Sequence, residues 1–159
     1  MVYAAVIQAA YDGPDVSYFV ILDTTEPWTR WGVFPCHAKK LGLPLAVRAS
    51  YAAKNFAHFH IRPDLQLPHS YTLASSQEIQ ATYNRPATYS PRQKELKQKI
   101  RESWGVITLS RVGFDLRRQH AVVYAQLTYC GLCGGGDYFY LAKENGRWHV
   151  IDRAGTWIS

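Results

Sequence analysis

Apolar side chains recur near helical spacing over residues 2–12, with Val2, Val6, Ala9 and Ala10 in the repeat and Asp12-Gly13-Pro14 ending it. This predicts an opening helix. Residues 18–24 are β-branched and aromatic, the pattern of a strand with a buried centre. Residues 26–44 hold three prolines and two glycines and predict irregular chain, although Trp28, Trp31 and Phe34 would pack onto something. A short helix follows at 45–55. A short alternating strand is expected at 58–61, ended by Pro63, and another strand at 70–74. Ser75 with Glu78 predicts a capping box and a helix to about Tyr83. Ser90-Pro91 with Gln93 predicts a second such start, its helix running to about Ser103 with Leu96, Ile100 and Trp104 along one face.

After Gly105 the periodicity changes from helical to alternating. Residues 106–114, 121–129, 138–143 and 148–157 read as four consecutive strands. Asn145-Gly146 between the last two is the strongest hairpin signal in the chain. Along the second of these strands Ala121, Val123 and Ala125 share one face, and His120, Val122, Tyr124 and Gln126 share the other. Both faces are largely uncharged, so both should be covered. Helices first and a meander last predict an α+β domain spanning residues 1–159. Its N-terminal helices would pack on a curved, mainly antiparallel sheet, a layout like that of NTF2-like or cystatin-like folds.

The chain has 159 residues, of which 47% are hydrophobic and 19% charged, as expected of a folded globular chain. No apolar run approaches the ~18 residues of a membrane span. The net charge is +6. Residues 1–80 balance six basic against six acidic side chains, so residues 81–159, with twelve and six, carry the whole excess. A basic half suits solubility and also an anionic partner. The N-terminus lacks the basic start of a signal peptide, so the chain is either cytosolic or a mature exported protein.

Residues 102–159 resemble the C-terminal half of a family of uncharacterised bacterial proteins. The resemblance rests on Ile107-Thr108-Leu109-Ser110-Arg111-Val112-Gly113-Phe114, Leu132-Cys133-Gly134, Asn145-Gly146-Arg147-Trp148 and Thr156-Trp157-Ile158-Ser159. It implies one continuous domain and no particular chemistry.

Several constellations are candidates for function. Cys130 and Cys133 form a C-x-x-C without a second pair, which favours a local disulfide in oxidising conditions over a zinc site. The glycines 134–136 that follow are expected to take positive φ at a hairpin tip, with a bulge. His58 and His60, with Cys36, His37 and His69 nearby in sequence, do not suffice to predict a metal, which needs three or four converging ligands. Acid–base chemistry would pair Asp23 with His58, His60 or His120 inside a cleft. Arg111, Arg117 and Arg118 with Tyr124, Tyr129, Tyr138 and Tyr140 would suit single-stranded nucleic acid if they shared a surface.

The expectation is a non-catalytic module that binds a small molecule or a protein in an aromatic-lined concavity of the sheet. Tyr124, Tyr138, Tyr140 and Arg111 would line it, and no cofactor is implied. The alternatives are a small NTF2-like hydrolase or isomerase using the Asp/His pair, and a nucleic-acid binder.

Overall fold

A computed structural model describes residues 1–27, 34–84, 88–129 and 133–158. Five helices and seven strands follow in the order α1 (Val2–Tyr11), β1 (Tyr18–Leu22), α2 (Phe34–Lys40), α3 (Leu45–Lys54), β2 (Ser70–Ala74), α4 (Ser76–Tyr83), α5 (Pro91–Glu102), β3 (Val106–Leu109), β4 (Gly113–Phe114), β5 (His120–Thr128), β6 (Gly134–Glu144) and β7 (Arg147–Ile158). The strands form one sheet in the order β2-β1-β3-β5-β6-β7, with β4 continuing the line of β3 along β5. The architecture is α+β. The C-terminal four-strand run is antiparallel, while β1 pairs in parallel with both β2 and β3. Each parallel pairing needs a crossover, which α2–α3 and α4–α5 supply.

Both faces of the sheet are covered, which is why β1 reads Phe-Val-Ile at its centre rather than alternating with polar residues. On one face, Phe19, Ile21, Ile107, Leu109, Val123, Phe139 and Leu141 pack against Val2, Val6 and Ile7 of α1, with Ile61 beside them. On the other, Leu96 and Ile100 of α5 cover Val20, Ala74 and Val106. Further along that face, Phe34, Ala38, Val47 and Tyr51 of α2 and α3 cover Val122, Tyr124, Tyr138 and Ala154. Each fully buried large side chain stabilises the fold by roughly 1.5–3 kcal/mol.

Local signals fix several boundaries. Both capping boxes form: Ser75 accepts from the Glu78 N–H and Ser90 from the Gln93 N–H, with the reciprocal side-chain bonds made. Asn145 and Gly146 take φ of 49° and 81°, the left-handed pair that a tight hairpin requires.

Four local expectations are corrected. Residues 34–40 are helical despite the surrounding proline and glycine, because Pro35 falls in the first turn, where its missing N–H costs nothing. Residues 58–61 form only a single antiparallel bridge, Thr24 with His60. The strand expected over 106–114 is split at 110–112. There the Ser110 hydroxyl accepts from the Tyr124 N–H at 2.8 Å, taking the place of a backbone carbonyl. Gly134, Gly135 and Gly136 lie inside β6 and not among the glycines of positive φ, although the expected bulge does follow Gly136. A Cβ on Gly136 would collide with the Tyr124 hydroxyl, so this glycine provides room rather than a turn.

Candidate functional site

The sequence-predicted residues separate into three places. Tyr124 and Tyr138, 4% and 3% exposed, are core residues rather than the lining of an open concavity. The Phe34 ring lies 5.3 Å from Tyr138 and 4.3 Å from Tyr51, and Tyr124 lies 5.1 Å from Tyr138. The hollow expected over this part of the sheet is therefore filled by α2 and α3. The Tyr124 hydroxyl accepts from Trp157 Nε1 at 2.9 Å and donates to Gln126 Oε1 at 3.0 Å, which ties β7 to β5.

Tyr140 packs, partly buried, against this cluster and stacks on His120 with 5.8 Å between centroids. His120 Nδ1 lies 3.2 Å from Asp115, not from Asp23. Asp115 is occupied as a turn cap, accepting the N–H groups of Gln119 and His120. Burial works to raise its pKa, but those hydrogen bonds and the His120 ring hold its carboxyl below the usual range.

Asp23, His58 and His60 lie together on adjoining segments, through the backbone. The Asp23 carbonyl accepts from the Ile61 N–H at 2.7 Å, and His58 Nδ1 lies 2.8 Å from the Thr25 carbonyl. No hydrogen bond joins the Asp23 carboxylate to a histidine among the described residues. Cys36 is free and exposed, His37 contacts the Gly155 carbonyl and His69 contacts Asp12. No three His, Cys, Asp or Glu side chains converge among the described residues. The disulfide expected between Cys130 and Cys133 falls outside the described residues, because Cys130 does. Arg111 and Arg118 both lie near enough to Lys54 to lower its pKa after burial does, whereas Tyr129 lines a cavity that neither arginine lines and Tyr124 and Tyr138 are buried.

An aromatic cavity does exist, at a place that the sequence pattern did not single out. It encloses about 410 Å³ between α4, α5 and the ends of β3 and β5. Tyr83 closes one side; Lys97, Ile100 and Arg101 supply the α5 wall; Trp104 and Tyr129 complete it. These rings are open to solvent, at 38% for Tyr83, 59% for Trp104 and 55% for Tyr129.

The chain that leaves α5 explains why Trp104 is outside. Ser103 is buried and its hydroxyl donates to the Gly105 carbonyl at 2.6 Å, tightening the turn. Gly105 takes φ +143° and passes so close to β5 that a Cβ would lie 2.5 Å from the Thr128 carbonyl oxygen. Between these two constraints Trp104 is held at φ +61°. A left-handed backbone costs a bulky side chain on the order of 1–3 kcal/mol, and packing must supply it. The indole is thus turned into the cavity mouth instead of continuing the buried Leu96–Ile100 stripe.

Charge in the cavity is positive. Lys97 lies 4.3 Å over the Tyr89 ring and donates to its hydroxyl at 2.9 Å. The Arg101 guanidinium makes no hydrogen bond or ion pair among the described residues. Burial pushes the Tyr83 phenol up, so this ring stays neutral. Thr82 is spent on the Glu78 carbonyl at 2.8 Å. The lining therefore offers ring faces and cations. The signal in the sequence was Ser103-Trp104-Gly105, an aromatic residue just before the glycine that ends a helix. Among the described residues no helix is long and apolar enough to cross a membrane. No family model, no curated protein and no solved structure matches this chain.

Proposed function

We propose that this protein is a non-catalytic binding module whose ligand is a flat, apolar molecule carrying an acidic group, held in the cavity between α4 and α5. One observation carries the reading: a tryptophan kept in a strained backbone conformation with its ring exposed. Strain of this kind persists where the surrounding structure holds it, and it clusters at ligand sites. The two tyrosines supply further stacking surface, and the unpaired Arg101 supplies the counter-charge for an anion.

Fluorescence titration with anilinonaphthalene sulfonate, a fused aromatic bearing one sulfonate, tests the reading. Stacking on an aromatic side chain contributes about 1–3 kcal/mol, so Trp104→Gly should weaken binding roughly tenfold or more. The same variant relieves the left-handed strain, so its unfolding temperature should hold or rise. Arg101→Gln should weaken binding and flatten its salt dependence. Equal affinity in Trp104→Gly and the parent would overturn the proposal.

A further inference from the structure

Asn55 is 0% exposed, and its whole side chain is spent on two backbone segments. Its Oδ1 accepts from the Arg111 N–H at 2.6 Å, while Nδ2 donates to the Arg111 and Tyr51 carbonyls, each at 2.9 Å. Gripping both polar groups of one residue imitates a strand neighbour at the point where the line from β3 to β4 is broken. The result is an arginine with a fixed backbone. Its guanidinium lies 4.0 Å over the Phe59 ring and has no carboxylate partner among the described residues. An arginine set on an aromatic face, with its donors unused, is prepared for a planar oxyanion.

The surroundings make a site of it. A cavity of about 260 Å³ opens beside Arg111 and is also lined by Tyr3, Thr25, His60, Arg62 and Asp64. The Thr25 hydroxyl accepts from the Phe59 N–H at 3.1 Å and keeps its own proton to donate. Tyr3 has committed its proton to the Ser110 carbonyl at 2.8 Å.

Topology places this cavity at the carboxyl ends of β1 and β3. These strands are parallel neighbours, and just beyond β1 the Glu26 N–H donates to the Leu109 carbonyl at the end of β3, at 2.9 Å. Sheets with parallel strands often bind ligands outside the carboxyl ends of those strands. Burial, and then the charges of Arg111 and Arg118, lower the pKa of the nearby Lys54.

We infer that this crevice binds a small organic monocarboxylate, with Arg111 as the bidentate partner of the carboxylate and the apolar tail against Ile61 and Leu65. The lining sets the class. Arg62 and Arg111 against Asp64 leave one excess formal positive charge among the arginines and carboxylate of the lining, which matches a monoanion better than a dianion such as phosphate. The cavity also lies below the usual 300–1,000 Å³ of a drug-sized ligand, so the acid is short.

The probe is pentanoate, titrated into ¹⁵N-labelled protein, with pentanamide and inorganic phosphate as comparisons. Saturable shifts are expected at Thr25, His60 and Arg62, with pentanamide and phosphate both weaker by tenfold or more. Arg111→Gln should lose at least tenfold in affinity. Arg111→Lys should keep only part of it, because the fork is lost while the charge remains. Trp104→Gly should bind pentanoate as the parent does, which separates this site from the one between α4 and α5. If Arg111→Gln does not fold, the exposed Arg62→Gln carries the test and should weaken binding severalfold. No saturable shift in the parent, pentanamide equal to pentanoate, phosphate tighter than pentanoate, or unchanged affinity in the arginine variants would each overturn the inference.

Discussion

Gly113 of β4 lies directly against the backbone of α3 at Tyr51, and replacing it with alanine tests how α3 is seated. Its backbone is not left-handed, so alanine adds no dihedral strain. The cost is steric. A Cβ would lie 2.5 Å from the Tyr51 Cβ and 2.7 Å from the Tyr51 Cα and N, where ordinary contact begins at 3.4 Å. Those atoms belong to the helix backbone and cannot rotate away, so α3 must withdraw by roughly 1 Å. Withdrawal loosens Tyr51 against Phe34 and stretches the 3.1 Å bond from the Phe114 N–H to the Ser50 hydroxyl. Overpacking of this kind costs about 1–3 kcal/mol, and a weakened hydrogen bond about 0.5–1.5 kcal/mol. Restricting the unfolded chain returns about 0.4–1 kcal/mol. The net centres on about 2 kcal/mol, within about 0.5–4 kcal/mol, which at the centre is a fall in Tm of roughly 4–8 °C for a chain of this size. Urea unfolding followed by tryptophan fluorescence should show a lower midpoint at an unchanged slope. Gly146→Ala is the control: it takes φ +81° but has nothing within 4 Å, so it carries strain without a clash. A Gly113→Ala protein as stable as the parent, or no less stable than Gly146→Ala, would refute this account of α3.

Asn55→Ala should lower stability by about 1–3 kcal/mol in the same unfolding assay, because it leaves the Arg111 N–H without its acceptor, while the Tyr51 and Arg111 carbonyls keep the Asn55 N–H and the Ser110 hydroxyl as donors. Alkaline unfolding should begin above pH 10. Burial raises the Tyr3 phenol to about 12 against the opposing charge of Arg111, so the folded state holds a proton that the unfolded state releases near pH 10. That stabilisation, about 2–3 kcal/mol, is complete below pH 10 and is lost as the pH climbs through 12. Tyr3→Phe should flatten the decline, and a spectrophotometric titration in which every tyrosine of the native protein ionises near pH 10 would contradict it.

What was legible in the sequence is what neighbours along the chain decide. Ser75 with Glu78, Ser90 with Gln93 and Asn145-Gly146 each satisfy or shape a backbone group within four residues, and all three form as expected. The covering of both faces was legible too, because β5 carries apolar residues at consecutive positions. Pairings over long separations were not. Nothing local announces that Tyr18–Leu22 lies between Ser70–Ala74 and Val106–Leu109, both in parallel. The break after Leu109 depends on the amide of Asn55, more than fifty residues earlier. Tyr124 and Tyr138 read as pocket residues because an aromatic strand face looks the same whether a ligand or Phe34 occupies it. The cavity around Trp104 draws on residues 82–83, 97–104 and 129, so no window of the sequence contains it.

The covering of both faces also decides where binding can occur. Helices lie over each side of the sheet, so the cavities assigned here to ligands open at the ends of the strands. β3 is central to both. Its entry carries the strained Trp104 and its exit carries the clamped Arg111, about 20 Å apart at the rise of an extended chain. At each end the chain breaks the regular ladder by the same means, a buried polar side chain that bonds backbone groups: Ser103 at the entry and Asn55 at the exit. Each break sets one large side chain, an indole or a guanidinium, in a position that an uninterrupted strand would not give it. The two sites thus rest on local departures from β geometry that neighbouring elements hold in place, and removing either polar anchor should disturb its own end of β3 first.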